Sequence, residues 1–127
     1  MKKRKQKVDP RYIGVPNICF SLTDEKDERE KEFAKQRKTR GFDNSETWAL
    51  YESIAKFTLP RLKCFRQITC GYPMEFDSDE PWNTILDQMI QAFELICEVG
   101  YTADDKKDRI IRRGLNLFHK YFFALWY

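Results

Sequence analysis

Two rows of basic side chains have residue types and spacing that suit binding to phosphate. The first row is Lys56, Arg61, Lys63 and Arg66. The second row is Arg109, Arg112 and Arg113, and Asn116 and Lys120 continue it. Each row keeps to one side of a predicted helix, and the planar fork of arginine bonds phosphate bidentately. Trp48 and Tyr51 precede the first row and can stack on a base. Antiparallel helices would place both rows beside one groove, where we predict a ligand site. The alternative is that the rows are ordinary solvated helix faces.

The sequence offers little for catalysis. His119 is the single histidine, and it lies beside an apolar helical stripe, which favours a structural role. No GxxxxGK[ST] or GxGxxG phosphate loop occurs in the chain. The acidic clusters fall at predicted helix starts, where capping and the helix dipole account for them. We therefore predict a protein that is not an enzyme, with no catalytic residues and no cofactor.

The cysteines do not suggest a metal site. Their positions are Cys19, Cys64, Cys70 and Cys97, with no CxxC pair. Structural zinc sites usually bring their ligands in close pairs. Reduced cysteines in a cytosolic protein are the interpretation that this spacing favours.

The last seven residues form an aromatic cluster that is apolar almost all round a predicted helix. A helix that is apolar on all sides is buried on all sides. Residues 121–127 must therefore enter the core deeply or form a surface for self-association. We predict a homo-oligomer, with a symmetric dimer favoured, and expect Phe123, Trp126 and Tyr127 near its interface.

The elements that must position these residues are helices. Apolar residues recur at helical spacing along most of the chain, without sustained alternation. We predict an all-α fold, a compact helical body of three long amphipathic helices. The first should be kinked or split at Pro60. Asp43 and Glu46 form a predicted capping box, and Ser78 or Asp79, and later Thr102, should cap the next helices. Three glycines should each end a helix. They are Gly41, Gly71 and Gly100, and Gly71 should adopt a left-handed cap.

Charge divides the chain unevenly around its net charge of +3. Residues 1–40 hold 13 basic and 7 acidic residues, and the remainder holds 10 and 13. We predict a mobile basic arm at 1–22, a charged helical extension at 23–40 that begins at a Thr23 cap, and a helical core domain at 41–127. The arm is either a contact for nucleic acid or a solubilising tail. No apolar run is long enough for a membrane span, and no secretory segment follows the lysine-rich start. We expect a cytoplasmic protein with no membrane contact.

Several stretches resemble a group of small proteins encoded by tailed bacteriophages. The matching stretches are residues 39–50 (TRGFDNSETWAL), 59–62 (LPRL), 71–73 (GYP), Trp82, and 85–94 (ILDQMIQAFE). The resemblance covers about residues 39–97. It implies a phage or prophage origin and action in the cytoplasm of the bacterial host, and it carries over no catalytic residues.

Together these features predict a non-enzymatic binding protein of a phage that acts on host physiology or defence. It would sequester a phosphate-bearing nucleotide within an oligomer, or it would block a host protein. An alternative is a nucleic-acid-binding protein that uses the basic arm and the helix rows. A further alternative is a virion or assembly component.

Overall fold

The computed structural model describes residues 26–127, and within this range the chain is helical, with no β-strand. Four α-helices and two short 3-10 helices follow one another: α1 Glu30–Arg40, a 3-10 helix Asn44–Thr47, α2 Leu50–Ile68, α3 Asp79–Val99, α4 Asp105–Lys120, and a 3-10 helix Phe122–Ala124. The predicted all-α class is confirmed. The predicted basic arm at 1–22 and the Thr23 cap lie outside the described residues.

The chain divides into two compact units. The first ends at Ser53 and the second is Ile54–Tyr127. Composition alone placed a boundary after residue 40. The structural boundary comes later because the turn that follows α1 bonds back to that helix.

Helix α1 is shorter than the predicted extension. It begins at Glu30 and buries Phe33. Gly41 ends it with a φ of 88°, in the left-handed region that glycine adopts without strain, and its N–H donates to the carbonyl of Arg37 at 2.8 Å. The predicted stop at Gly41 is confirmed.

The turn after α1 is a capping box of buried acidic residues. The Asp43 carboxylate accepts the N–H of Ser45 at 2.8 Å, and the Glu46 carboxylate accepts the N–H of Asp43 at 2.8 Å. The pair predicted from sequence therefore forms, but it caps the short 3-10 helix rather than α2. Both carboxylates are buried, so each depends on these donors in place of water.

Arg37 balances the charge of this turn. Its guanidinium bonds the carboxylates of both Glu30 and Asp43. Burial lowers the pKa of Arg37, but the hydrogen bonds to these two carboxylates outweigh it, so the pKa is raised. The first unit thus contains a buried carboxylate that is paired and fully bonded.

The second unit has one apolar core in which α3 lies between its neighbours. The buried residues are Ala55, Leu62, Trp82, Leu86, Met89, Phe93, Ile96, Ile111 and Tyr121. Aromatic rings join the helices edge to face, with Trp82 and Tyr121 at 5.6 Å and Phe93 and Phe118 at 5.1 Å between centroids. Helix α3 runs antiparallel to both α2 and α4. The contacts Trp82–Tyr121 and Phe93–Phe118 show this for α4, and the ion pairs described below show it for α2.

Gly114 lets α4 approach α3 closely. A Cβ at this position would lie 2.2 Å from the Cβ of Ala92 and 2.6 Å from the backbone oxygen of Gln88. Two small residues therefore face each other at the contact, and the backbones meet at a distance that no larger side chain allows.

Helix α2 is continuous through Pro60, so of the two predicted alternatives a split is excluded. The helix ends at Ile68, three residues before Gly71. The predicted left-handed conformation of Gly71 is wrong, because the glycines with positive φ in the described chain are Gly41 and Gly100. The residues before Pro73 are irregular, in keeping with the bias of a residue preceding proline against helix.

The later helix ends follow the sequence in part. Ser78 occupies the N-cap position of α3, but its side chain forms no capping hydrogen bond. Helix α3 ends before Gly100, as predicted. At α4 the cap is Asp104 rather than Thr102. The N–H of Lys107 donates to the Asp104 carboxylate at 2.9 Å, and this bond lowers the pKa of Asp104. Thr102 instead accepts the N–H of Asp104 at 3.1 Å.

The carboxyl-terminal segment is not one helix, contrary to the prediction. Helix α4 ends at Lys120, and the chain continues as a 3-10 turn and an irregular end. Tyr121 is buried, and Ala124 and Leu125 pack against the core.

Gly114→Ala should destabilise the second unit by about 1–3 kcal/mol, because overpacking at the α3–α4 contact exceeds the gain in helix propensity. Urea unfolding followed by circular dichroism measures the change. Gly71→Ala is the matched control, since nothing lies within 4 Å of its Cβ position. Equal stabilities of the two variants would contradict this account of the contact.

Asp43→Ala should destabilise the first unit by about 2–4 kcal/mol, because it removes the cap and leaves Arg37 without one of its two carboxylates. Amide hydrogen exchange of α1 measures the loss of protection in that unit. Asp104→Ala removes an exposed cap of α4 and should leave α1 protection unchanged. Unaltered exchange in α1 of the Asp43 variant would show that the buried turn does not stabilise the unit.

Candidate functional site

The basic row on α2 is bonded to α3. The Nζ of Lys63 lies 3.1 Å from a carboxylate oxygen of Glu94, and the Nε of Arg66 lies 2.9 Å from one of Asp87. Lys63 precedes Arg66 on α2, whereas its partner Glu94 follows Asp87 on α3. This reversed order shows that the two helices are antiparallel. These cations therefore lie beside carboxylates and are only partly available to a phosphate.

The row on α4 meets the same face of α3 from the other side. A guanidinium nitrogen of Arg113 donates to Gln91 at 3.3 Å. Gln91 falls on one helical face with Asp87 and Glu94. Lys63 and Arg66 of the first row and Arg113 of the second therefore contact one polar stripe of α3, formed by Asp87, Gln91 and Glu94. Within the described chain Arg109 is exposed and forms no ion pair, and Arg112 pairs with Asp108 of its own helix at 3.1 Å.

The remaining predicted ligand-binding residues have other neighbours. Arg61 lies over the Phe57 ring at 3.8 Å and donates to the Phe57 carbonyl at 2.8 Å. Lys56 is half-buried on α2. Trp48 and Tyr51 belong to the first unit, and both are about half exposed.

Trp48 has a cation against its ring. The guanidinium of Arg29 lies 4.6 Å from the Trp48 ring centroid, and Phe33 meets the same ring edge-on at 5.8 Å. Arg29 also bonds Asp27, and this hydrogen bond holds the pKa of Asp27 at about 2. The predicted stacking role of Trp48 stays a prediction, and it would require a base to compete with Arg29.

The second unit contains a cavity of about 650 Å³ that we call the aromatic cavity. Residues 70–75, the loop after α2, form one wall. The carboxyl-terminal segment forms the other wall, and Trp82 of α3 contributes to the lining. The residues of this segment that line the cavity are Lys120, Tyr121, Phe123, Ala124, Trp126 and Tyr127. The volume lies within the range of about 300–1,000 Å³ typical of small-molecule sites.

Large apolar side chains around the aromatic cavity remain exposed. Phe123 is 91% exposed, Trp126 is 73% and Tyr127 is 68%, and on the loop Tyr72 is 44% exposed. With about 150–250 Å² for each aromatic side chain, the three carboxyl-terminal rings alone expose roughly 350–600 Å². This equals the largest apolar patch of an ordinary monomer, about 300–600 Å², and a patch of that size is often functional.

Two of the cavity's rings are held in place by neighbouring groups. The hydroxyl of Tyr72 donates to the backbone carbonyl of Asp77 at 3.3 Å. The ring of Tyr127 meets Phe65 of α2 at 6.0 Å between centroids. These two rings are therefore positioned before any ligand arrives, which lowers the entropic cost of binding against them.

The other candidate chemistries have no centre in the described chain. Among residues 26–127 no group of three or more His, Cys, Asp or Glu side chains is placed to hold a metal ion. Cys64 and Cys70 are free cysteines. None of the helices in this range has the length and apolarity that a membrane span needs.

Neither a protein-family model nor a curated protein nor a solved structure matches the chain. The resemblance to small phage proteins therefore stays a prediction.

Sequence reasoning did not find the loop wall of the aromatic cavity. Tyr72, Met74 and Glu75 follow a recognisable turn at Gly71–Pro73, but nothing in their spacing shows which segment they face. The aromatic density of residues 121–127 was the available signal, but it predicted a helix and an oligomer interface, and it did not indicate that these residues face the loop at 70–75.

Asp87→Asn with Glu94→Gln should tighten binding to a single-stranded oligonucleotide several-fold at low salt. The double substitution frees Arg66 and Lys63 from their carboxylates, and phosphate binding depends on available cations. Stability should change by about 1 kcal/mol or less, since these ion pairs are exposed. Fluorescence anisotropy measures the affinity.

Asp79→Asn with Glu80→Gln is the matched control, because it changes net charge equally at the start of α3. An equal gain of affinity in both double variants would show that net charge, rather than release of the rows, decides the binding.

Proposed function

We propose that the protein is a non-enzymatic binding protein that works as a homo-oligomer, most simply a dimer, through the aromatic surface around its cavity. The exposure of Phe123, Trp126 and Tyr127 in one patch is the observation that carries this proposal. These three residues are the ones that the sequence suggested for an interface. With Tyr72 and Phe122 the exposed aromatic area reaches roughly 500–800 Å², close to the ~800 Å² that each partner buries in a standard interface.

The setting of this activity follows from the resemblance to phage proteins. We propose a phage origin and action in the cytoplasm of the bacterial host, by sequestering a phosphate-bearing nucleotide or by blocking a host protein. Binding without catalysis is consistent with the chemistry of the aromatic cavity, in which Lys120 and Glu75 supply the charged side chains. Native mass spectrometry of protein expressed in bacteria reports the oligomer and any retained ligand together.

Phe123→Ser with Trp126→Ser should convert the dimer to a monomer, because interface energy concentrates in buried aromatic anchors. Light scattering after size-exclusion chromatography measures the mass. Tyr101→Ser is the matched control, since Tyr101 is an exposed aromatic residue at 84% that does not line the cavity. A wild-type protein that stays monomeric at every concentration, or loss of the dimer in the Tyr101 variant, would overturn the proposal.

A further inference from the structure

The loop wall of the aromatic cavity carries backbone groups that are free to bind a ligand. Residues 69–73 are irregular. Within the described chain the N–H groups of Cys70, Gly71 and Tyr72 have no acceptor. Free backbone donors and acceptors in an apolar site are the groups that orient a small polar ligand. Those of the three N–H groups that face the cavity can bond the edge of a flat ring that lies against the aromatic side chains.

Lys120 supplies a positive charge at the opposite wall. It is exposed, its ammonium lies 5.3 Å from the Tyr121 ring centroid, and no carboxylate of residues 26–127 pairs with it. In this respect Lys120 differs from Lys63 and Arg66, which already have carboxylate partners. An anionic group at the mouth of the cavity would gain a charge-assisted hydrogen bond without breaking an existing ion pair.

Glu75 is the carboxylate of the lining and extends from the loop wall. It can accept hydrogen bonds from hydroxyl or amino groups, but it repels a second anionic group placed near the loop. The site thus favours a molecule that has an aromatic ring, hydroxyl or amino donors, and its negative charge at one end.

We propose that the aromatic cavity binds a nucleoside phosphate, with its base against the aromatic wall and its phosphate at Lys120. Aromatic side chains such as Trp126 stack on bases of any sequence. This inference rests on the proposed binding function and moves the ligand site from the two basic rows to the far end of the second row. It needs neither Trp48 nor the polar stripe of α3.

Binding should be measured by calorimetry with AMP, adenosine and inorganic phosphate. AMP should bind more tightly than adenosine, because adenosine lacks the group that meets Lys120, and inorganic phosphate alone should not bind measurably. Lys120→Gln should weaken AMP binding about tenfold, whereas Arg109→Gln, an exposed cation elsewhere on α4, should change it less than about twofold. Trp126→Ala should weaken it roughly five- to hundredfold, and Tyr101→Ala should not.

The free thiols locate the ligand independently. Cys70 lines the aromatic cavity, and the exposed Cys64 on α2 does not. Alkylation by iodoacetamide, resolved by peptide mass spectrometry at fixed protein concentration, should slow at Cys70 when AMP is added and stay constant at Cys64. Both thiols belong to the same molecule, so unfolding or aggregation would affect the two together.

Three results would overturn the inference. The first is that AMP neither binds nor protects Cys70. The second is that AMP and adenosine bind with equal affinity and Lys120→Gln has no effect. The third is that affinity is lost in the Arg109 variant instead of the Lys120 variant. The oligomeric state is measured separately by light scattering. A monomer that binds AMP would refute the proposed dimer and leave the cavity as the ligand site, and a dimer that ignores AMP would do the reverse.

Discussion

The close approach of α3 and α4 at Gly114 is the contact on which the geometry of the second unit depends. Because Gly114 has no side chain, its Cα can lie so close to α3 that a Cβ attached to it would collide with Ala92. Because the helices are antiparallel, this approach brings the end of α4 against the start of α3, where Tyr121 meets Trp82. The segment after Tyr121 is thereby placed beside the loop that follows α2, and the aromatic cavity is a consequence of that placement.

The central position of α3 also decides where charge is available. Its outward polar stripe accepts cations from both neighbours, through Asp87 and Glu94 towards α2 and through Gln91 towards α4. Rows of cations that are prominent in the sequence are therefore partly neutralised by the fold. Lys120 lies about two turns of α4 beyond Arg113. It pairs with no carboxylate of residues 26–127, and it lines the aromatic cavity.

The first unit is stabilised by contacts between residues that are close in sequence. Its buried carboxylates lie within a few residues of their donors, and Arg37 reaches Asp43 from the last turn of α1. Contacts so close in sequence form with little loss of chain entropy. The capping box could accordingly be predicted from sequence, whereas the helix that it was expected to cap was misassigned, since a 3-10 turn and a full helix begin with the same cap.

The sequence by itself determined the all-α class, the apolar stripe of α3, and the helix stops at Gly41 and Gly100, because periodicity and left-handed glycine act over a few residues. Only the tertiary structure decided the conformation of residues 121–127 and the end of α2 at Ile68, before Gly71. It alone brought the loop at 70–75 to the carboxyl-terminal wall and gave Lys63 and Arg66 their partners. These contacts join segments that are tens of residues apart, and side-chain type and spacing along one helix do not specify which distant segment will cover it. That is settled by how closely the helices pack, here by the absence of a Cβ at Gly114.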